Sequence, residues 1–457
     1  MHSNIHLLLC AFVAVIGLIF LIARCKVHAF LALLLAALFV GLCCGMEPMK
    51  LARALQDGVG AVLRDIALVV GLGTVLGKLL ADSGGARVIA ETFLQLLGQR
   101  RLLLAMMLIG LLIGIPVFFA VGLVLLAPIL FTLVRQTKMP LLSLGIPLLA
   151  GLSVAHGLVP PHPGPMAAIG NFNALAGKTD VGKTILYSLL IGFPTALVAG
   201  PLFAKWITPR VPLELSGDVA QQLIQEGPAR HKSPGFGLAL FTILLPVLIM
   251  LLKTLLDLTA PMENVVRHTF DFLGEAPVAL LISVLVALYT FGLRIGHSAA
   301  ELGKATAESL KPVAEILLVV GAGGGFNRVL VESGVGSAIA DCTKGLPISP
   351  FLLGWLAAAL FRVATGSATV AISAAAGLMA PIVSANPGLN RELLVVAMGA
   401  GSLTLSHLND GGFWFVKEYF NMSVPQMLKT WTILETLISL VALALVFVLD
   451  AILRLAS

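Results

Sequence analysis

Four short stretches place polar or ionisable groups inside sequence that is otherwise apolar, and the residue types in each suggest a chemistry. In "FRVATGSATVA" (361–371), Arg362 is followed by Thr365, Gly366, Ser367 and Thr369. A guanidinium can hold a carboxylate through two parallel hydrogen bonds, and hydroxyls on a glycine-loosened tip can take the hydroxyls of a polyol. In "SVAHGLVPPHPGPMAAIGNFN" (153–173), His156 and His162 flank a run of Pro and Gly that must interrupt a helix. In "SLTLSHLNDGGFWFVKEYF" (402–420), Ser406, His407, Asn409 and Asp410 precede Gly411 and Gly412. The fourth stretch, "GIPVFF" (114–119), has no side-chain donor, so Pro116 marks a break that offers only backbone groups. Together these read as a substrate-binding set of Arg362, Thr365, Gly366, Ser367, Thr369, His156, His162, Asn409 and Pro116 for a small hydroxylated carboxylate. Asp410, His407 or His156 would bind a coupling ion, and the residues alone leave open both which of them does so and whether that ion is a proton or sodium; as a proton carrier imidazole titrates near pH 6.5, whereas a carboxylate must be shifted to serve.

Other chemistries fit less well. "GKTDVGKT" (177–184) matches the phosphate-binding pattern G-x-x-x-x-G-K-[ST] letter for letter. That pattern works only where a strand feeds a glycine-rich turn into a helix N-terminus, and here apolar helical runs flank it on both sides. An interhelical turn is the better reading. A membrane-embedded hydrolase could recruit His156, His162, His407 and Asp410, but neither H-E-x-x-H nor G-x-S-x-G occurs, and 156 and 162 are not at i, i+4 spacing. A cation/proton antiporter is the nearer alternative, although an arginine at depth suits an anion. No metal, cofactor or nucleic acid is expected, and no enzymatic activity.

The elements that must position these groups follow from composition. Charged residues are 11% of the 457 and hydrophobic residues 58%, with a mean hydropathy of +1.02. Soluble chains carry roughly 25% charged residues, so this is a polytopic all-α membrane protein. The net charge of +6 comes from basic residues in short loops, which reads as orientation signal rather than a nucleic-acid patch. The N-terminal run precedes Arg24 and Lys26 with no basic residue ahead of it, as in a membrane span rather than a cleaved signal. The five cysteines form no C-x-x-C pair and read as apolar packing residues.

The chain also repeats itself. "LVVGLGTVLGKLLADSGGARVIAE" (68–91) lies over "LVVGAGGGFNRVLVESGVGSAIAD" (318–341) without gaps, aligning Lys78 with Arg328, Asp82 with Glu332 and Gly84 with Gly334. His156 and His407 fall at nearly the same offset. Each half is expected to hold about five transmembrane helices, some broken, plus one re-entrant helical hairpin: a first repeat over 1–208 with its hairpin near 102–134, and a second over 236–457 with its hairpin near 350–384. Hairpin arms of about 14 residues reach only about 21 Å, short of the roughly 30 Å hydrocarbon core. The intervening 209–235 is a polar cytoplasmic linker. An odd number of crossings per half inverts the second repeat, as in secondary transporters, and the basic loops put both termini outside.

"AGLSVAHGLVPPHPGP", "RVATGSATVA" and above all "SHLNDGGFWFVKEYFNMSV" with "KTWTILETLISL" resemble the gluconate permease family of gluconate:proton symporters, over essentially the whole chain. The resemblance implies proton-coupled uptake of a sugar acid across the bacterial inner membrane, with periplasmic termini. It also implies a fold similar to the ion-transporter superfamily and, through that superfamily, a homodimer. Members of such a family carry gluconate, other sugar acids or D-serine, so the resemblance leaves the ligand open.

Overall fold

The computed structural model of the chain describes residues 4–98, 101–213, 233–259, 265–311, 313–336, 338, 348–408 and 410–456. Among them there is helix and no strand. The first half contains α1 (Asn4–Ala23), α2 (Ala29–Cys43), α3 (Pro48–Asp82), α4 (Gly85–Leu97), α5 (Leu102–Gly114), α6 (Phe119–Thr137), α7 (Leu141–Leu158), α8 (Pro163–Ala176) and α9 (Val181–Leu197). A π turn at Val198–Leu202, which contains Pro201, joins α9 to the short α10 (Phe203–Ile207). The second half contains α11 (Phe236–Thr259), α12 (Val265–Leu273), α13 (Ala276–Thr290), α14 (Ala299–Leu310), α15 (Val313–Glu332), α16 (Pro350–Thr365), α17 (Ala368–Ala385), α18 (Arg391–Gly401), α19 (Gly411–Phe420), α20 (Val424–Lys429) and α21 (Trp431–Ala456). Among the described residues, eight helical spans are long and apolar enough to cross a membrane, or nine if the bent α3 is counted as one span.

All four suspect stretches interrupt a helix. α5 ends at Gly114 and α6 begins at Phe119; α7 ends at Leu158 and α8 begins at Pro163. α16 ends at Thr365, where Gly366 takes φ 74° and Ser367 caps α17. That left-handed corner suits a residue without a side chain. The fourth gap lies between Gly401 and Gly411.

Two lengths differ from the sequence expectation. The helices on either side of the breaks at 114–119 and 365–368, where hairpin arms of about 14 residues were expected, are unequal: 13 and 19 residues at the first and 16 and 18 at the second. α17 continues through Pro381 and is by itself long enough to count as a candidate span. A proline in a membrane helix removes one hydrogen bond, and packing on the neighbouring helices carries the helix on. α3 is 35 residues long, and its first half is amphipathic and carries Lys50, Arg53 and Asp57, which hides it from a search for apolar runs.

Local geometry recurs where the sequences align. Lys78 pairs with Asp82 at 2.8 Å and Arg328 pairs with Glu332 at 2.7 Å. Ser83 and Ser333 donate to the carbonyls of Leu80 and Leu330, and Gly84 and Gly334 both adopt positive φ. In the same register, Gly151 of α7 lies against the backbone of α5, and Gly401 of α18 lies against the backbone of α16. A Cβ at Gly151 would stand 2.2 Å from the Met107 carbonyl oxygen, and one at Gly401 would stand 2.2 Å from that of Trp355. Water-driven association is weak between helices in lipid, so close backbone approach through small residues supplies much of the packing. Gly401→Ala should therefore lower stability by about 1–3 kcal/mol, the usual range for overpacking. The check is the thermal midpoint of the detergent-purified protein, and an unchanged midpoint would contradict the contact.

The turn "GKTDVGKT" sits between α8 and α9. Asp180 caps α9 by accepting from the Lys183 amide at 2.7 Å, so the amide that would cradle phosphate is occupied. The turn instead ties the halves together. The Lys178 ammonium meets Glu275 at 2.7 Å, Lys253 meets the same carboxylate at 2.9 Å, and the Asp180 amide donates to Glu392 at 2.9 Å. Partial burial pushes the Glu275 carboxyl up, but the hydrogen bonds and charges of Lys178 and Lys253 outweigh it and hold it below the usual range. A depressed carboxylate contributes stability at neutral pH that is lost as pH falls through its folded value. Glu275→Gln should thus be less stable than wild type at pH 7, by a modest margin because the pair is partly solvated. That margin should shrink as pH falls below the ordinary carboxylate range and close as it passes through the lower folded value. Thermal midpoints recorded from neutral to acid pH test this; a constant gap would contradict it.

Candidate functional site

The second hairpin, the second broken helix and the start of α21 meet around a cavity of about 320 Å³. Its wall includes Phe119, Ser153, His156, Arg362, Asp410 and Glu435. The central feature is an ion pair. Arg362, 4% exposed on the last turn of α16, donates through Nη2 to Asp410 Oδ2 at 2.5 Å and through Nη1 to the Gly366 carbonyl at 2.6 Å. The first bond ties hairpin to broken helix, and the second holds the hairpin's own tip. Arg362 Nε is buried with no partner among the described residues.

Asp410 is fully engaged. Its Oδ2 also accepts from the Ser406 hydroxyl, and its Oδ1 accepts from the Gly412 amide at 2.8 Å as the chain enters α19. Ser406 in turn accepts from Trp431 Nε1 at 2.7 Å, while its carbonyl accepts from Thr432 at 2.5 Å. The unwound segment between α18 and α19 is thereby fastened to α21. A carboxylate needs such partners in a dry site, since an unpaired buried charge is expensive.

The remaining candidates divide between the cavity and its surroundings. Gly366, Ser367 and Thr369 line the cavity, as does His156, whose Nδ1 is buried without a partner among the described residues. Thr365 lies at the hairpin tip with its hydroxyl committed to the Phe361 carbonyl at 2.8 Å. His162 packs edge-to-face on His156, with ring centroids 5.1 Å apart, and bonds the Gly114 carbonyl at 2.5 Å. It thereby links the first broken helix to the first hairpin. Pro116 is buried beside it, lining a separate small pocket with His162. His407 is partly exposed and bonds the Val363 carbonyl at 3.1 Å, away from the cavity wall. Asn409 falls outside the described residues.

Three cavity groups were not singled out from sequence. Glu435 is 1% exposed, with Oε1 unpartnered among the described residues, and Ser153 is beside it. Trp431 buttresses Phe119 at 5.2 Å between ring centroids. The rule that flagged Arg362, an ionisable residue within an apolar run, also applies to Glu435 in "KTWTILETLISL".

The chain matches the GntP family permease profile over residues 6–452. The chain belongs to the GntP permease family. This permease is similar to the gluconate permease of Pseudomonas aeruginosa, 49% identical over 453 residues that cover 99% of each chain. It is also similar to the Gnt-II system L-idonate transporter of Escherichia coli, 40% identical over 437 residues, covering 96% of this chain and 97% of that one. Among solved structures, MtrF of Neisseria gonorrhoeae superposes with a TM-score of 0.63 over 94% of this permease and 96% of that chain; at 14% identity the likeness is one of fold. This permease is thus a multi-pass membrane transport protein rather than an enzyme.

Proposed function

We propose that this permease takes up gluconate or a closely related sugar acid across the bacterial inner membrane by proton symport. The observation that carries the reading is a buried guanidinium at a small cavity between a helix-hairpin tip and an unwound helix. The cavity, about 320 Å³, lies at the lower end of the range for small-molecule sites, which suits a six-carbon acid better than a bulky drug. Arg362 receives the carboxylate, exchanging or sharing its bond to Asp410, while Ser367, Thr369 and the free backbone groups of the hairpin tip take hydroxyls. His156, which lines the same cavity, is available to the polyol chain. Relatives named for gluconate and L-idonate, acids that differ only in stereochemistry, support this substrate class.

Alternating access follows from an inverted pair of repeats, 1–208 and 236–457, with the hairpins re-entering the membrane and both termini periplasmic. The recurring ion pairs, left-handed glycines and glycine contacts in the two halves support the repeat. The decisive test is transport by the purified protein in proteoliposomes with an imposed pH gradient. Labelled gluconate should accumulate and the uncoupler should abolish accumulation, with L-idonate competing more strongly than D-serine. Uptake driven by sodium and indifferent to the uncoupler would refute proton coupling, and failure to take up any aldonate would refute the substrate class.

A further inference from the structure

Of the two acids at the cavity, Glu435, not Asp410, is the one without a direct ion pair among the described residues, although Ser153 lies beside it and the Arg362 charge reaches it. Asp410 receives hydrogen bonds from Arg362, Ser406 and the Gly412 amide, so each of its oxygens is occupied. Glu435 projects from the first turns of α21 into the same cavity, 1% exposed, with one carboxylate oxygen lacking any partner among the described residues. The titratable or charged groups that share the cavity with it are His156 from α7, Arg362 from α16 and Asp410 from the segment before α19. α9, the π turn at Val198–Leu202, α18, α19 and α20, which also pack on α21, contribute no charged side chain to the cavity wall.

Charge counting then links this acid to the substrate. With Arg362 and Asp410 cancelling and His156 neutral, an ionised Glu435 leaves the cavity at one negative charge, and a bound carboxylate would raise that to two. Like charges confined in a poorly solvated space repel strongly. A proton on Glu435 removes one of them. We propose that Glu435 is the proton-binding site of the transport cycle: its carboxylate takes a proton from the outer aqueous side as the sugar acid binds Arg362, and returns it to the cytoplasmic side on release. No other bond is made or broken, and one proton accompanies each substrate anion. Favoured co-binding of the two is a coupling free energy and must be reciprocal.

This inference rests on the proton-symport reading, and the experiment separates the two. Purified wild type in weakly buffered detergent solution should take up one proton per D-gluconate bound, followed with a pH indicator dye. Its dissociation constant should rise about tenfold per pH unit once Glu435 is ionised. Glu435→Gln, a permanent mimic of the protonated state, should bind gluconate with no proton uptake and with a dissociation constant flat in pH. In proteoliposomes it should exchange labelled for unlabelled gluconate yet fail to accumulate it, and Glu435→Asp should recover some accumulation. Proton uptake by Glu435→Gln equal to wild type would overturn the assignment and leave symport intact. Wild-type accumulation unaffected by an uncoupler would overturn symport itself, and the assignment with it. Should Glu435→Gln fail to fold, Glu435→Asp still decides: an unaltered pH dependence of binding overturns the proposal, and a shifted one supports it.

Discussion

Arg362→Lys should weaken gluconate affinity by about 10- to 100-fold, the consequence of losing a charge-assisted hydrogen bond worth about 1.5–3 kcal/mol. The side chain has three tasks that lysine cannot perform at once. Nη1 holds the Gly366 carbonyl at the hairpin tip, Nη2 holds Asp410, and a further edge must face the arriving carboxylate. A guanidinium presents five donors in a fixed plane, whereas an ammonium is a compact point charge on a flexible stem. Lysine at 362 preserves the charge balance of the cavity, so the loss isolates geometry from charge. Initial uptake rates over a range of gluconate concentrations give the test. A half-saturation concentration unchanged from wild type would mean that the substrate carboxylate binds elsewhere.

The breaks in the helices were legible because membrane helices punish irregularity. Pro and Gly crowd together at 114–116, 160–164 and 411–412, and Gly366 sits among hydroxyl residues, whereas lone prolines such as Pro381 and lone packing glycines such as Gly151 leave their helices unbroken. What the alphabet of residues does not carry is which side chains face one another. Arg362 and Asp410 are 48 positions apart and were given separate tasks, one for the carboxylate and one for the proton; the fold makes them a single ion pair. His156 and His162 looked equivalent in sequence, yet the backbone turn between α7 and α8 sends one to the cavity and the other onto the Gly114 carbonyl. Glu435 has no such signal in sequence, since α21 contains no Pro or Gly to advertise a special position. Its importance arises from the cavity alone, and a cavity belongs to several helices at once.

Asp410→Asn should be the most destabilising conservative change at the site, by about 3–5 kcal/mol, since it strands a buried cation. Asparagine can still accept from the Gly412 amide, but its NH₂ group would face both Arg362 and Ser406 with a donor where each needs an acceptor. If the guanidinium is where the sugar acid docks, the substrate's own carboxylate replaces the missing counter-ion. Gluconate should then raise the thermal midpoint of Asp410→Asn more than that of wild type, where binding must first compete with Asp410. Ligand at about 100 times its dissociation constant contributes about 2.7 kcal/mol, enough to recover much of the loss. The double change Arg362→Gln with Asp410→Asn removes both charges. It should regain most of the stability of wild type, because neutral partners leave no stranded ion, and should show no gluconate-induced shift at all. A double variant still stabilised by gluconate would place the anion site away from this pair, and an Asp410→Asn protein as stable as wild type would mean that the pair holds little of the fold together.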